Sequence, residues 1–149
     1  MNKEKYLENK LKEFGKKLRI KLPLEVKSDK RLRNYMASIT EYRYINNNEL
    51  FYLMKYNPKQ IRKATKATII HCILHELGHI KLGHVNLPEK ELTNEIIMEC
   101  EYEAEKFALK NIKKYEPQYY KQSLKNIIDI KENINHSKAY QRLLEEING

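Results

Sequence analysis

Ten residues near the middle of the chain decide the fold, and they read His71-Cys72-Ile73-Leu74-His75-Glu76-Leu77-Gly78-His79-Ile80. Within them is the pattern His75-Glu76-x-x-His79. On an α-helix, residues four apart lie one turn above each other, so both imidazoles can reach one metal ion. Glu76 follows one step round the helix, where it could take a proton from a water bound to that metal. The pattern therefore predicts a metal-binding helix.

The surrounding residues favour a metal site over the simpler alternatives, which are a chance match or histidines buried for packing. The segment from Ile69 to Ile80 is apolar with little else polar, so ionisable groups within it need a reason. This pattern in this setting is the signature of zinc metallopeptidases. On a helix, these residues would form two neighbouring strips along its surface. The apolar strip that faces the core contains Ile69, Ile73, Leu77 and Ile80. The strip beside it contains Thr68, Cys72, His75 and His79.

Length and composition indicate one globular domain over residues 1–149. The hydrophobic content is 41% and the charged content 33%, which is typical of globular rather than disordered chains. No apolar run approaches the roughly 20 residues that span a bilayer, and the first residues lack the apolar core of a secretory signal. We therefore expect a cytoplasmic protein without a membrane partner.

The cysteines, Cys72 and Cys100, are too few for a disulfide framework and should be reduced in the cytoplasm. Both lie on predicted helices beside apolar neighbours, so small packing residues are the preferred interpretation. Cys72 lies one turn before His75 and could be a soft metal ligand, but a glutamate is favoured over it.

The net charge of +9 is unevenly distributed. Residues 1–66 hold 18 basic and 7 acidic residues, a net charge of +11, and the remainder holds 11 and 13, a net charge of −2. A basic half could contact nucleic acid or an acidic partner. Such charge is more often solvated surface, and these lysines alternate with acids, so nucleic-acid binding is a minority interpretation.

The N-terminal half predicts one helix followed by a small antiparallel sheet. Apolar residues at helical spacing indicate a helix over residues 4–19. An edge strand could start at residues 25–27, and residues 35–45 alternate like a strand. Asn46-Asn47-Asn48 signals a turn because asparagine tolerates positive φ, and residues 50–56 indicate the returning strand.

The C-terminal part predicts helices only. Asn57 is a good N-cap and Pro58 a good first residue for a helix that carries the histidine motif and stops at Gly83. Three more helices follow, at residues 93–114, from Glu116 to about residue 134, and at 137–147, the last two as packing helices. The predicted class is α+β, mostly helical, with the sheet packed against the motif helix and a glutamate-bearing second helix.

A third protein ligand is needed, because catalytic zinc usually has three, with water in the open position. His84 is five residues after His79 and Gly83 abuts it, whereas the metzincin pattern requires six with a glycine midway. His84 is therefore interpreted as a polar residue at the helix end. The alternative is a carboxylate from the second helix, where Glu101 and Glu103 have comparable claims by periodicity alone.

Two stretches together resemble the ImmA/IrrE family of metallopeptidases: His75-Glu76-Leu77-Gly78-His79-Ile80-Lys81-Leu82-Gly83-His84 and Glu101-Tyr102-Glu103-Ala104-Glu105-Lys106-Phe107-Ala108. That family has a His-Glu-Leu-Gly-His helix followed by a Glu-x-Glu-Ala-Asn/Asp-x-Phe-Ala helix. The resemblance covers about residues 57–110 and implies a mostly helical domain with a small sheet. Many members are phage or mobile-element proteins that act on repressors.

The resemblance also implies roles for two glutamates. Glu101 occupies the position of the family's metal ligand. Glu105 occupies the Asn/Asp position, one methylene longer, where the residue would accept a hydrogen bond from a ligand histidine and fix its ring. The basic segment after Ala108 departs from the usual apolar ending.

We therefore expect a zinc-dependent endopeptidase of gluzincin type with one Zn²⁺ per chain. His75, His79 and Glu101 would hold the metal, with Glu103 as the alternative ligand, and Glu76 would be the general base. The expected substrate is a specific protein such as a phage or mobile-element repressor. The rival hypotheses are a non-catalytic, zinc-stabilised partner-binding protein and a nucleic-acid-associated protein. An intact Glu76 argues against a purely structural site.

Overall fold

A computed structural model describes residues 1–32, 36–131 and 137–148 of the chain. These residues form helices and one three-stranded sheet, which confirms the predicted α+β, mostly helical class. The helices are α1 (Lys3–Lys17), α2 (Pro58–Lys63), α3 (Lys66–Lys81), α4 (Asn94–Tyr115), α5 (Tyr120–Lys131) and α6 (Ser137–Asn148). The strands are β1 (Leu24–Ser28), β2 (Ala37–Arg43) and β3 (Leu50–Tyr56).

The sheet is mixed, with the strand order β1-β3-β2. As predicted, β2 and β3 are antiparallel and are joined through the asparagine turn, where Asn48 has a φ of 59°. However, β1 pairs in parallel with the other edge of β3, so the sheet is not purely antiparallel. The alternation of side chains in a short strand defines its faces and not the direction of its partner, so the sequence could not predict this pairing.

One face of the sheet packs onto α1 and α3. Tyr52, Met54 and Tyr56 alternate along β3 and are buried, as expected when successive side chains point to opposite faces. They join a core with Leu7, Leu11 and Phe14 of α1 and the apolar residues of α3. Strand β2 also contacts α3, which places an open edge of the sheet beside the motif helix.

The predicted helix from Pro58 to the histidine motif is two helices. Asn57 caps α2 as predicted, and its side chain accepts hydrogen bonds from two backbone N–H groups. Ala64 is extended and ends α2, and Thr65 begins α3 by accepting a hydrogen bond from the Thr68 N–H at 3.1 Å. The prediction of one helix was wrong because this second N-cap went unrecognised. Because of the break at Ala64, α3 does not continue α2 as one helix.

Helices α3 and α4 approach closely at Gly78. A Cβ added there would lie 2.9 Å from Cδ1 of Phe107 and 3.4 Å from Cα of Ala104. Glycine on α3 and alanine on α4 therefore allow the two helices to come together. The contact brings polar residues of both helices within reach of each other.

The C-terminal helices form a second apolar cluster with α4. A 3-10 turn at Pro117–Tyr119 precedes α5, so the third predicted helix begins later than Glu116, and its predicted end lies outside the described residues. The fourth predicted helix agrees with α6 to within one residue. The cluster contains Tyr102, Leu109, Ile127, Ala139, Tyr140 and Leu143. Across the described ranges, no helix combines the length and apolar character needed to cross a bilayer.

Candidate metal centre

Three residues predicted as metal ligands meet where α3 faces α4. The Nε2 atom of His75 lies 3.1 Å from Nε2 of His79 and 3.1 Å from Oε2 of Glu101. The Nε2 atom of His79 lies 3.4 Å from Oε1 of Glu101. Among the described residues, these form the one group of three or more His, Cys, Asp or Glu residues whose donor atoms all lie within 4.8 Å of one another.

The spacing of these donor atoms suits a small divalent cation. Ligands at about 2.0–2.1 Å from a tetrahedral ion lie roughly 3.3–3.4 Å from one another. The two histidine nitrogens are 3.1 Å apart, and one Glu101 oxygen lies 3.1 Å from His75 while its other oxygen lies 3.4 Å from His79. The two imidazole nitrogens cannot both direct a hydrogen at the other, so at least one lone pair points into the centre. His75, His79 and Glu101 could therefore hold a metal ion.

Histidines and glutamates alternate along the interface between α3 and α4. On α3, His71, His75 and His79 are four residues apart, and on α4, Glu101 and Glu105 have the same spacing. Glu101 faces His75 and His79, whereas Glu105 faces His71 and His75. One Glu105 oxygen lies beside Nδ1 of His75, and the other lies 2.7 Å from Nε2 of His71. Although burial opposes it, the charges of Glu105 and Glu101 raise the pKa of His75 and favour hydrogens on both ring nitrogens, and a metal would take the place of the hydrogen on Nε2.

The two carboxylates of this cluster are held in their charged form by the histidines that face them. Burial opposes ionisation of Glu101, yet hydrogen bonds to His75 and His79 hold the pKa of its carboxyl well below the usual range. Burial is likewise outweighed at Glu105, where the charges of His71 and His75 lower the pKa. Two ionised carboxylates in a buried position require compensating positive charge.

Glu76 has the opposite electrostatic environment. Its side chain is buried, and desolvation raises its pKa from 4.5 to about 7 although nearby His75 opposes the change. The backbone N–H of Ile39 on β2 also faces this carboxylate and favours its charged form. A carboxyl that titrates near neutral pH can both accept and donate a proton under ordinary conditions.

His84 lies against the far side of His79. Gly83, with a φ of 77°, reverses the chain after α3, and His84 opens a 3-10 turn that returns over the helix end. Its Nδ1 atom lies 2.8 Å from Nδ1 of His79, and its Nε2 atom lies 3.3 Å from Oε2 of Glu103. Burial lowers the pKa of His84 and keeps the ring neutral. The interpretation of His84 as a mere polar helix end did not foresee these contacts.

The alternative ligands occupy other positions. Glu103 contacts His84, so the structure brings Glu101 rather than Glu103 to the histidine pair. Cys72 and Cys100 are free thiols and only partly buried, and neither belongs to the group of donors. Burial raises the pKa of the Cys72 thiol, which disfavours the thiolate that binds metal.

Two residues near the centre, His71 and Tyr140, were not predicted from the sequence. His71 is four residues before His75, so it continues the same helical strip and could have been identified from that spacing. Tyr140 of α6 is buried, and its pKa is raised by burial and by the charges of nearby Glu105, Glu101 and Glu76. No local pattern around Tyr140 indicated that it would fold back toward the motif helix.

A pocket of about 200 Å³ opens beside the candidate metal ligands. His79, His84 and Glu101 line one side of it. The remaining wall is apolar and comes from β2, the segment after α3 and the start of α4, at Ile39, Val85, Leu92 and Ile97. The pocket gives an apolar group access to the side of the cluster that carries His79.

Comparison with known proteins agrees with this geometry at the level of a peptidase. A family model described as Peptidase U49 matches residues 25–143. The chain belongs to the Peptidase U49 family. The match includes α3, α4, β2, β3 and all of β1 except its first residue. Neither a search of curated proteins nor a search of solved structures gave a match.

Membership of Peptidase U49 makes this chain a member of a peptidase family. The predicted hydrolase class therefore holds at that level. The ImmA/IrrE assignment itself is not what the comparison returned, and it stays a resemblance carried by two motifs. The family description names no metal, so the metal and its ligands stand on the geometry described above.

Proposed function

We propose that this Peptidase U49 member is a zinc-dependent endopeptidase in which His75, His79 and Glu101 hold one Zn²⁺. The observation that carries the proposal is the grouping of one donor atom from each of the three residues within 4.8 Å of the others, which suits a tetrahedral ion with one position left open. Two imidazoles and one carboxylate are a ligand set of catalytic zinc sites. When bound, zinc lowers the pKa of a water and polarises the substrate carbonyl.

The remaining steps belong to the side chains around the centre. Glu76 accepts the proton of the attacking water on its carboxylate and then delivers it to the leaving amine. In the metal-free protein, burial raises the pKa of this carboxyl to about 7. One carboxylate oxygen of Glu105 lies against Nδ1 of His75, where it would hold that ring in the orientation that presents Nε2 to the metal.

The apolar pocket beside His79 gives the substrate a place to bind. An extended protein segment with an apolar side chain next to the scissile bond would fill the pocket and bring its carbonyl to the cluster. We propose a specific cytoplasmic protein as the substrate, and the motif resemblance favours a repressor of a phage or mobile element. The pocket would then select the substrate by the apolar side chain next to the scissile bond.

The rival function is that of a zinc-stabilised, non-catalytic binding protein. A structural metal has no use for a buried carboxyl that titrates near neutral pH beside the ligands. Glu76 therefore supports catalysis over this alternative. The basic N-terminal half leaves nucleic-acid binding as a further hypothesis, and no geometric feature of the centre favours it.

The substitution Glu76→Gln tests the proposal, because it keeps the size of the side chain and removes the base. Zinc-loaded wild-type and variant proteins would be incubated with a proteome-derived peptide library and with candidate repressors. Mass spectrometry would follow the products. We expect the variant to retain zinc and fold but to cleave at least ~10²-fold more slowly. Equal cleavage rates for the two proteins would rule out Glu76 as the base.

A further inference from the structure

The environment of His79 differs from that of His75. His75 has a carboxylate, Glu105, directly against its Nδ1 atom. Against Nδ1 of His79 lies a second imidazole, that of His84, at 2.8 Å. The His84 side chain is only 10% exposed, and its far nitrogen faces the half-exposed carboxylate of Glu103. A chain of contacts therefore runs from His79 through His84 to Glu103.

The positions of the hydrogens in this chain follow from the role of His79. If Nε2 of His79 binds a metal, that nitrogen carries no hydrogen, and the neutral ring must carry its hydrogen on Nδ1. The Nδ1–H group then donates to Nδ1 of His84. His84 in turn carries its hydrogen on Nε2, which points at the Glu103 carboxylate 3.3 Å away. Every group along the chain has a compatible partner.

We infer that His84 and Glu103 are positioning residues that hold His79 in the tautomer and ring orientation required for metal binding. Glu105 does the same for His75, so each ligand histidine has its own support. This inference rests on the proposed function, because it needs a metal on Nε2 of His79. Partners of this kind typically change metal affinity by about 10–100-fold.

His84 acts as a support and not as a fourth ligand. Within the described residues, the group of donor atoms that share one centre contains His75, His79 and Glu101 but not His84. The near nitrogen of His84 faces the back of the His79 ring, and its other nitrogen faces Glu103. The position in front of Nε2 of His79 stays available for substrate.

The test measures the zinc dissociation constant by competition with a chromophoric chelator. His84→Asn keeps an acceptor near the position of Nδ1, whereas His84→Leu has a similar size and no acceptor. Glu103→Gln keeps the acceptor for Nε2–H, and Glu103→Ala removes it. Glu99→Ala is the matched control, since Glu99 is one turn before Glu103 on α4 and pairs with Arg142 instead. His75→Ala reports whether the metal site itself exists.

The inference predicts that His84→Leu weakens zinc binding by about 10–100-fold and that His84→Asn restores most of the affinity. Glu103→Ala should weaken binding by a smaller factor than His84→Leu, with Glu103→Gln and Glu99→Ala close to wild type. Wild-type affinity in His84→Leu, or equal losses in the leucine and asparagine variants, would overturn it. Wild-type affinity in His75→Ala would instead overturn the proposed metal site.

Nuclear magnetic resonance gives a second readout that a purely structural role would not change. In the zinc-loaded protein, the Nδ1–H proton of His79 should be protected from exchange by its acceptor. His84→Leu should remove that protection and leave the Nδ1–H proton of His75 unchanged, because Glu105 still holds it. Unchanged protection at His79 in the leucine variant would contradict the inference.

Discussion

At the scale of single residues, the three central glutamates of α4 have different partners, which predicts different effects on metal binding. Glu101→Ala removes a proposed ligand and should weaken zinc binding most. Glu105→Ala should weaken it by about 10–100-fold, because it frees the His75 ring. Glu103→Ala should have the smallest effect of the three. Titration of each variant with zinc would give the order, and loss of binding in Glu103→Ala with none in Glu101→Ala would contradict the assignment.

The environment of Glu76 predicts that the free energy of unfolding depends on pH when a chelator has removed any metal from the protein. Its folded pKa of about 7 lies above the ordinary value of 4.5, so the folded state binds the proton more tightly than the unfolded chain. The carboxyl therefore destabilises the fold as pH rises from about 4.5 to 7, and the penalty is complete above that window. Glu76→Gln removes the titration.

Denaturant unfolding of wild type and Glu76→Gln at about pH 5 and pH 8 would measure this effect. The variant should be more stable at the higher pH by roughly 3 kcal/mol, which corresponds to the difference between the two pKa values. The advantage should fall to about 0.8 kcal/mol at the lower pH. A difference that is the same at both pH values would show that Glu76 does not titrate in this range.

Sequence alone could predict that the histidine pair and Glu76 share one helix, but it could not predict whether Glu101 or Glu103 faces the pair. The pair follows from helical spacing within one element. The choice of glutamate depends on how α4 is rotated against α3, and no spacing within α4 contains that information. His71 was within reach of the same spacing argument, whereas the contact between His84 and His79 depends on the chain reversal at Gly83.

At the scale of elements, the crossing of α3 and α4 controls the candidate centre. Gly78→Ala would place a methyl group 2.9 Å from the Phe107 ring, so the helices must separate or the ring must move. We expect a loss of stability of about 1–3 kcal/mol and weaker zinc binding. In a Phe107→Leu background the same substitution should cost less. An equal cost in both backgrounds, measured by denaturant unfolding, would show that Phe107 is not the obstacle.

The predictions of secondary structure and strand pairing were wrong where the deciding sequence feature was non-local or weak. The sequence predicted β2, β3 and the asparagine turn because alternation and turn residues are local features. The parallel partner of β1 depends on where the chain passes after residue 28, and alternation does not encode that path. The break between α2 and α3 had a local signal in Thr65, which apolar periodicity on both sides concealed.

At the scale of the whole molecule, a metal on His75, His79 and Glu101 would link α3 to α4, the helix that contributes residues to both apolar clusters. Metal binding should then stabilise the fold by linkage, because the ligands come together only in the folded chain. Free zinc at about 100 times its dissociation constant should add roughly 2.7 kcal/mol. Thermal unfolding with zinc and with chelator would measure the gain, and His75→Ala/His79→Ala should show none.

The most direct test of the central claim is the metal content of the purified protein, measured by plasma mass spectrometry for wild type and for His75→Ala/His79→Ala. The arrangement of the three donor atoms predicts about one zinc per wild-type chain and almost none in the double variant. Full zinc content in the double variant would contradict the site, and a wild-type protein that binds no zinc under saturating conditions would contradict zinc dependence.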